Sequence, residues 1–288
     1  MNLPIAGGVD SFQDFIYLSQ ISQAMSLKIE TEFYRRNRAI DSQTGEGLTM
    51  GALYWQLNDI WPAPTWASIE FGGKWKMSHY FIKKVFEPLL VVAFEENDRL
   101  KVALIRDDYF GNINFEVRIR VFKWSSLNPT FEINLTQNTP SLSSKLVYDE
   151  SVSNVLASGK CLNRSECVIE VNAENLDRNL RSNNFLLLTS LREAIGMTKT
   201  KLTVTRITGA HNFMPKYVYN IEIKTNSISL FVWLDFSLDS EIVGEFSENG
   251  FLMFNETKSI YFFSETPVEV NQLKSELTVR SLTDVKTQ

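Results

Sequence analysis

Two hydrophobic rhythms divide this chain near residue 88. Before it, Ile21, Met25, Ile29 and Phe33 recur every fourth residue, the spacing of one helix face. Met50 to Leu57 is a mostly apolar run preceded by Gly45-Glu46-Gly47. It predicts a buried strand of the parallel type, both of whose faces need apolar cover. Lys74 to Phe86 predicts a second amphipathic helix, with Met77, Tyr80, Phe81 and Val85 on one side and Lys76, Lys83 and Lys84 on the other. Helix, strand, loop, helix is the grammar of the closing repeats of a (β/α)8 barrel, where chemistry sits on the loops after the strands.

From about residue 89 the period falls to two. Leu100–Ile105, Phe115–Val121, Cys167–Val171 and Asn184–Leu188 read as short strands, punctuated by turns at Gly111-Asn112 and Asn128-Pro129. A second set follows at Lys201–Ile207, Tyr217–Ile223, Ser229–Leu234, Gly250–Phe254, Ser259–Phe263 and Glu276–Val279. Two successive sets of short strands predict two sandwiches. The expected fold is therefore α/β followed by all-β: the C-terminal end of a (β/α)8 barrel over 1–88, then two immunoglobulin-like β-sandwiches over 89–192 and 193–288.

Composition adds little. The 288 residues are 44% hydrophobic and 22% charged, ordinary for a globule. The net charge is -5, with no dense Lys/Arg cluster, so nucleic acid is not an expected partner. No apolar run approaches the roughly 18–20 residues of a membrane span. Met1 to Asp10 lacks the basic and apolar segments of a signal peptide, which taken literally keeps the chain in the cytosol. Cys161 and Cys167 argue the other way. They bracket the sequon Asn163-Arg164-Ser165, and a hairpin clipped by a disulfide with a glycan at its tip belongs to the secretory pathway. Two reduced thiols and a chance sequon are the alternative. Asn134-Leu135-Thr136 and Asn255-Glu256-Thr257 are further sequons, a number that chance alone would give.

The candidate chemistry lies between Tyr54 and Trp66, where three tryptophans accompany Asn58 and Asp59. A Trp ring is a flat apolar face with one N–H donor, and a sugar is its complement, an apolar C–H face ringed by hydroxyls. Trp55, Asn58, Asp59 and Trp61 are the candidate substrate-binding residues. The alternative is a Trp-rich core turn stopped by Pro62 and Pro64. His79, on a helix, and His211, in an Asn/Pro-flanked loop, are the two histidines, and no spacing resembles a metal site. Gly72-Gly73-Lys74 lacks the spacer of a phosphate loop. Neither metal nor cofactor is expected.

The order of these residues resembles the β-mannosidases of the glycoside hydrolase family that also contains β-galactosidase and β-glucuronidase. The resemblance runs through Glu30-Thr31-Glu32-Phe33-Tyr34-Arg35-Arg36, Met50-Gly51-Ala52-Leu53, the Tyr54–Trp66 run, Trp66-Ala67-Ser68-Ile69-Glu70 and Gly72 to Phe81. It continues through Trp124-Ser125-Ser126-Leu127, Phe231 to Asp235, Phe246 to Phe251 and Ser281 to Asp284. It covers nearly the whole chain, but only the C-terminal part of such an enzyme.

That resemblance implies the end of a retaining exo-β-mannosidase acting on N-glycan-derived oligosaccharides in the lysosome. Such a mechanism needs two carboxyl groups about 5 Å apart, in an Asn-Glu motif and a Ser-Glu-(Phe/Tyr)-Gly-like motif. Neither occurs in residues 1–60. Glu30 and Glu32 fall on an outer helix, Asp59 on the barrel mouth as a hydroxyl ligand or loop brace, and Glu70 on a surface turn. No catalytic residue is assigned, and the isolated chain is expected to be inactive. The implied partner is a β-mannoside bound by the full-length protein. An open barrel remnant would expose Trp55, Trp61 and Trp66, attract chaperones and be trimmed by proteases to near residue 88. The competing readings are a non-catalytic β-sandwich chain binding sugar or protein, and an unfamiliar hydrolase using Asp59.

Overall fold

The computed structural model describes residues 7–39, 44–213, 216–237 and 239–285. Its regular elements before residue 88 are the long helix α1 (Val9–Arg36) and the short helix α2 (Met77–Val85). The expected strand at 50–57 is absent, and no barrel sheet exists among the described residues. The reason is hydrogen bonding. A strand needs a paired neighbour, and residues 50–57 take part in no bridge; the nearby bridges join Asn58 with Ile69 and Ile69 with Trp75. Met50, Leu53 and Leu57 are exposed in consequence.

Helix α1 also departs from its apolar repeat. The buried positions are Asp14, Tyr17, Ile21, Ala24, Lys28, Thr31, Glu32 and Arg35, a stripe of three- and four-residue steps. Val9, Phe12, Phe15, Ile16, Ile29 and Phe33 face solvent. The stripe is selected by partners rather than by hydrophobicity, because each of its charged groups finds a fixed counterpart.

The chain separates into two units. A central unit comprises Ser26–Leu53 and Ile82–Met197; a terminal unit comprises Met1–Met25, Tyr54–Phe81 and Thr198–Gln288. Helix α1 contributes its second half to the first and its first half to the second.

In the central unit, β1 (Leu89–Glu96), β2 (Arg99–Arg106), β3 (Ile113–Lys123), β4 (Phe131–Thr139) and β5 (Ser143–Ser151) precede helix α3 (Val152–Ser158), and β6 (Cys167–Asn175) and β7 (Leu180–Leu187) follow it. Sheet β1-β2-β5 faces sheet β4-β3-β6-β7 across one core that includes Val91, Leu104, Phe115, Ile119, Ile169 and Val171. Alternation along β3 puts Phe115, Val117, Ile119 and Val121 inside, as period two requires. On the outer side of β1, Arg36 stacks 3.8 Å over Phe94. Asn184 ties this end of α1 to the sheets, donating to Glu32 at 2.6 Å and to the Val91 carbonyl at 2.9 Å. Glu32 also pairs with Lys28 at 2.9 Å, so the buried carboxylate is satisfied twice. Arg35 donates to the Val85 and Glu87 carbonyls and pairs with Asp107.

The Cys161–Cys167 disulfide is present, but it does not clip a hairpin. It joins the exit of α3 to the first residue of β6, through a 3-10 turn at Arg164–Glu166. The Ser151 side chain accepts the Asn154 N–H and starts α3, an N-cap.

The terminal unit carries β8 (Thr203–Phe213), β9 (Lys216–Lys224), β10 (Ser229–Phe236), β11 (Gly244–Phe246), β12 (Phe251–Met253), β13 (Thr257–Ser264), helix α4 (Val270–Glu276) and β14 (Leu277–Arg280). Sheet β12-β10-β14 opposes sheet β11-β13-β9-β8, with Tyr219, Ile221, Val232, Leu234, Ile260 and Phe262 between them. His211 is not in a loop. Its backbone lies in β8, opposite Val218 of β9, because the ladder between the two strands runs on to Phe213 and Lys216. Among the described residues no helix is long and apolar enough to cross a membrane.

Candidate functional site

The tryptophan loop belongs to the terminal unit and is braced from beneath. Helix α1 supplies the first support. Buried Tyr17 donates its hydroxyl to the Phe231 carbonyl at 2.5 Å, Arg280 lies 4.4 Å over its ring and pairs with Asp14. Burial pushes the Tyr17 phenol above its ordinary ionisation range. Gln20 accepts the Met77 N–H at 2.8 Å, and Gln23 donates to the Trp66 carbonyl at 2.7 Å. Met77 seats on β12: a Cβ at Gly250 would lie 2.7 Å from Met77 Cγ, and Gly250 has φ of +70°, so glycine is required there twice over.

Two hubs then fix the loop. At the first, Ser68 Oγ donates to the Leu57 carbonyl at 2.9 Å. Its one proton is thereby used, so Tyr54 donates to it at 3.1 Å and His79 Nδ1 at 3.0 Å. The Trp75 ring packs on His79 with centroids 4.4 Å apart. Main-chain bonds add to the hub: Ile69 to Leu57 at 2.9 Å, Asp59 to Ile69 at 2.9 Å and Lys76 to Ser68 at 2.9 Å.

The second hub is Asp59. One carboxylate oxygen accepts from Thr65. The other pairs with Lys76 at 3.0 Å. The Thr65 hydroxyl first, and the Lys76 ammonium after it, hold the carboxyl below the usual range. Lys76, expected on the polar side of α2, is thus buried; the charge it needs comes from the loop. Both oxygens of Asp59 are engaged, one by Thr65 within the loop and one by Lys76.

What remains outward is apolar, Leu57 and Ile60 among three tryptophans. Trp55, Trp61 and Trp66 are 73%, 60% and 61% exposed, and Asn58 is exposed beside them. Trp55 precedes Gln56 across a cis peptide bond. Asn58 accepts the Gln56 side-chain amide on its backbone carbonyl at 3.1 Å. The loop therefore presents three indole faces and one amide from a rigid base. It contains no pair of free carboxylates. Glu32 is committed in the central unit, and Glu30 accepts from Tyr34 at 2.6 Å. Among the described residues no three His, Cys, Asp or Glu side chains gather to hold a metal. The bracing residues Tyr54, Thr65, Ser68, Lys76 and His79 were not signalled by the sequence; only the clustering of small polar residues around a tryptophan run hints at them.

The comparisons with known proteins point one way. Residues 197–285 match the Ig_mannosidase family, an Ig-fold domain. The β-mannosidase of Rattus norvegicus is 39% identical over 279 residues, 96% of this chain and 30% of the relative. The probable β-mannosidase of Caenorhabditis elegans is 30% identical over 271 residues, 92% of this chain and 29% of the relative. The β-D-mannosidase of Dictyoglomus thermophilum superposes with a TM-score of 0.73 at 21% identity, covering 97% of this chain and 31% of that one. An exo-chitosanase of Amycolatopsis orientalis gives 0.67 at 14% identity, over 93% of this chain and 34% of that one. At such identities the two structures share the fold alone. The chain spans about 30% of the length of the curated relatives it matches, and over that span it corresponds to the C-terminal portion of the β-mannosidases and includes their Ig-fold domain.

Proposed function

We propose that this chain is the C-terminal part of a retaining exo-β-mannosidase of the lysosome, which removes terminal β-D-mannose from N-glycan-derived oligosaccharides. In this reading residues 1–88 are the last repeats of its (β/α)8 barrel, and 89–192 and 193–288 are two sandwich domains that follow. The Tyr54–Trp66 loop is one wall of the mannose site. Trp55 is its floor, Trp61 a flanking face and Asn58 a hydroxyl partner, while Asp59 holds the loop in shape. The two catalytic carboxyl groups come from the part of the parent enzyme that the matched region does not span.

One observation carries this reading: three tryptophans stand more than half exposed on a loop whose underside is fully hydrogen-bonded. Burying an indole is worth about 2–3 kcal/mol, so three exposed ones on a rigid base favour a ligand or a neighbouring surface. The outward apolar row of α1, from Val9 to Phe33, favours a neighbour as well. Adjacent barrel repeats would cover the helix row and leave the tryptophans at the barrel mouth. Glu30, Glu32 and Asp59 are each engaged by neighbouring side chains, and among the described residues we assign no carboxylate pair to chemistry.

The test is Trp55→Ala in the parent enzyme. Turnover of a chromogenic β-mannoside should fall far more than the yield of folded protein. Equal losses of both would return Trp55 to a packing role.

A further inference from the structure

The sequon at Asn163 acquires a structural setting that the mannosidase reading does not use. Asn163 is exposed and caps the 3-10 turn: its Oδ1 accepts the Ser165 N–H at 2.9 Å. Glycosylation modifies Nδ2 and leaves Oδ1 untouched, so the cap survives the modification. The turn itself is fastened on every other side. Arg164 pairs with Glu95 and with Asp98 at 2.8 Å. The Leu162 N–H donates to Glu166 at 3.0 Å. The Ser165 carbonyl accepts from Ile195 at 2.8 Å, and the Glu166 carbonyl from Trp124 at 3.1 Å. Every residue of the sequon except Asn163 is drawn back onto the unit, and Asn163 is left at the apex.

Two further observations favour a sugar at this apex. Leu162 beside it is 88% exposed, an apolar side chain on a polar turn that the C–H faces of a first glycan residue would cover. The Cys161–Cys167 bridge encloses the sequon, and disulfides form in the same oxidising lumen where oligosaccharide is transferred to Asn. The other two sequons are placed differently. Asn134 lies inside β4 with its amide engaged at both ends, accepting from Arg118 at 3.2 Å and donating to Glu132 at 2.9 Å. Asn255 is exposed on the β12–β13 turn, with no cysteine pair about it.

We propose that Asn163 is an N-glycosylation site. The donor is a polyprenyl diphosphate-linked oligosaccharide. The Nδ2–C1 bond forms as the C1–O bond to the diphosphate breaks; the diphosphate leaves with that electron pair, and the amide gives up one proton. The glycan shields the exposed Leu162 side chain from solvent.

The test is to express the chain behind a secretion signal in a eukaryotic host. Peptides are then read by mass spectrometry from both the medium and the membrane-enclosed fraction. Most molecules with an oxidised Cys161–Cys167 pair should carry hexosamine-linked sugar at Asn163. Ser165→Ala should abolish it, remove one glycan step on a gel and leave the melting temperature within about 1 °C, because the cap uses the Ser165 backbone and not its side chain. Unmodified Asn163 in molecules whose disulfide is formed would overturn the proposal.

Discussion

The Tyr17 phenol is the buried tie among those that hold α1 to the terminal unit, beside Asp14, Gln20 and Gln23, and replacing it measures how far the first part of the chain is integrated into the fold. Tyr17→Phe keeps the ring under Arg280 but removes the 2.5 Å bond to the Phe231 carbonyl. The loss of a buried hydrogen bond whose acceptor stays behind costs about 1–2 kcal/mol. Tyr17→Ala also removes the buried ring, for roughly 3–5 kcal/mol of transfer and cavity, and the stacking of Arg280, for about 0.5–1 kcal/mol. At roughly 3 °C per kcal/mol for a unit of this size, Phe lowers the melting temperature by about 3–6 °C and Ala by more than about 10 °C. Thermal unfolding by circular dichroism reads the shift, and hydrogen exchange of α1 locates it. Protection should fall first in residues 9–25 and reach β10, which Phe231 belongs to. The neutral phenol should persist to alkaline pH, because burial raises its ionisation. If Tyr17→Phe melts with the wild type, and α1 exchanges freely in both, then the helix is not docked as described. Proteases would then trim the chain to near residue 88, as the sequence suggests.

Other outcomes follow from the loop and its hubs. Ser68→Ala removes the acceptor shared by Tyr54 and His79, and should cost about 2 kcal/mol, visible as faster amide exchange over 54–69 with the sandwiches unchanged; uniform exchange would mean that the hub carries no load. The folded Asp59 carboxyl titrates below its unfolded value near about 3.9, so its contribution is complete above that pH and is lost as pH falls through the lower folded value. Acid unfolding of the loop should accordingly begin below pH ~4 in the wild type and shift upward on Thr65→Val; an unchanged acid limb would contradict the assignment. The isolated chain should not hydrolyse a chromogenic β-mannoside, and turnover above a blank that Asp59→Ala abolishes would instead make it an unfamiliar hydrolase.

The sandwiches were legible because alternation reports burial directly. Phe115, Val117, Ile119 and Val121 alternate in sequence and all point inward in β3. The segments missed there include β4 and β5, most of whose residues are half-buried or exposed, and α3, which the Ser151 cap starts. The first 88 residues were less legible. Periodicity located α1, yet the buried face runs through Asp14, Lys28, Glu32 and Arg35; Lys28 pairs with Glu32 within the helix, but Arg280, Asn184 and Asp107, the partners of Asp14, Glu32 and Arg35, lie 72 or more residues away in sequence. A hydrophobic repeat cannot report a face held by charges and amides. Met50–Leu57 has strand composition but no neighbour to pair with, so composition alone gave the wrong local structure. The aromatic loop was visible in sequence as a cluster. Its rigidity was not, because it depends on Lys76 and His79 folding back onto Asp59 and Ser68.

The central claim is that the Tyr54–Trp66 loop forms one wall of a β-mannoside site when the preceding part of the enzyme is present. The direct measurement is a chimera in which this chain replaces the matching C-terminal portion of the rat β-mannosidase. The chimera should hydrolyse a chromogenic β-mannoside, and Trp55→Ala within it should lower kcat/KM by about 100-fold or more, roughly 2.7 kcal/mol of transition-state stabilisation, with folded yield unchanged. A folded chimera without turnover, or one in which Trp55→Ala is as active as its parent, would contradict the account.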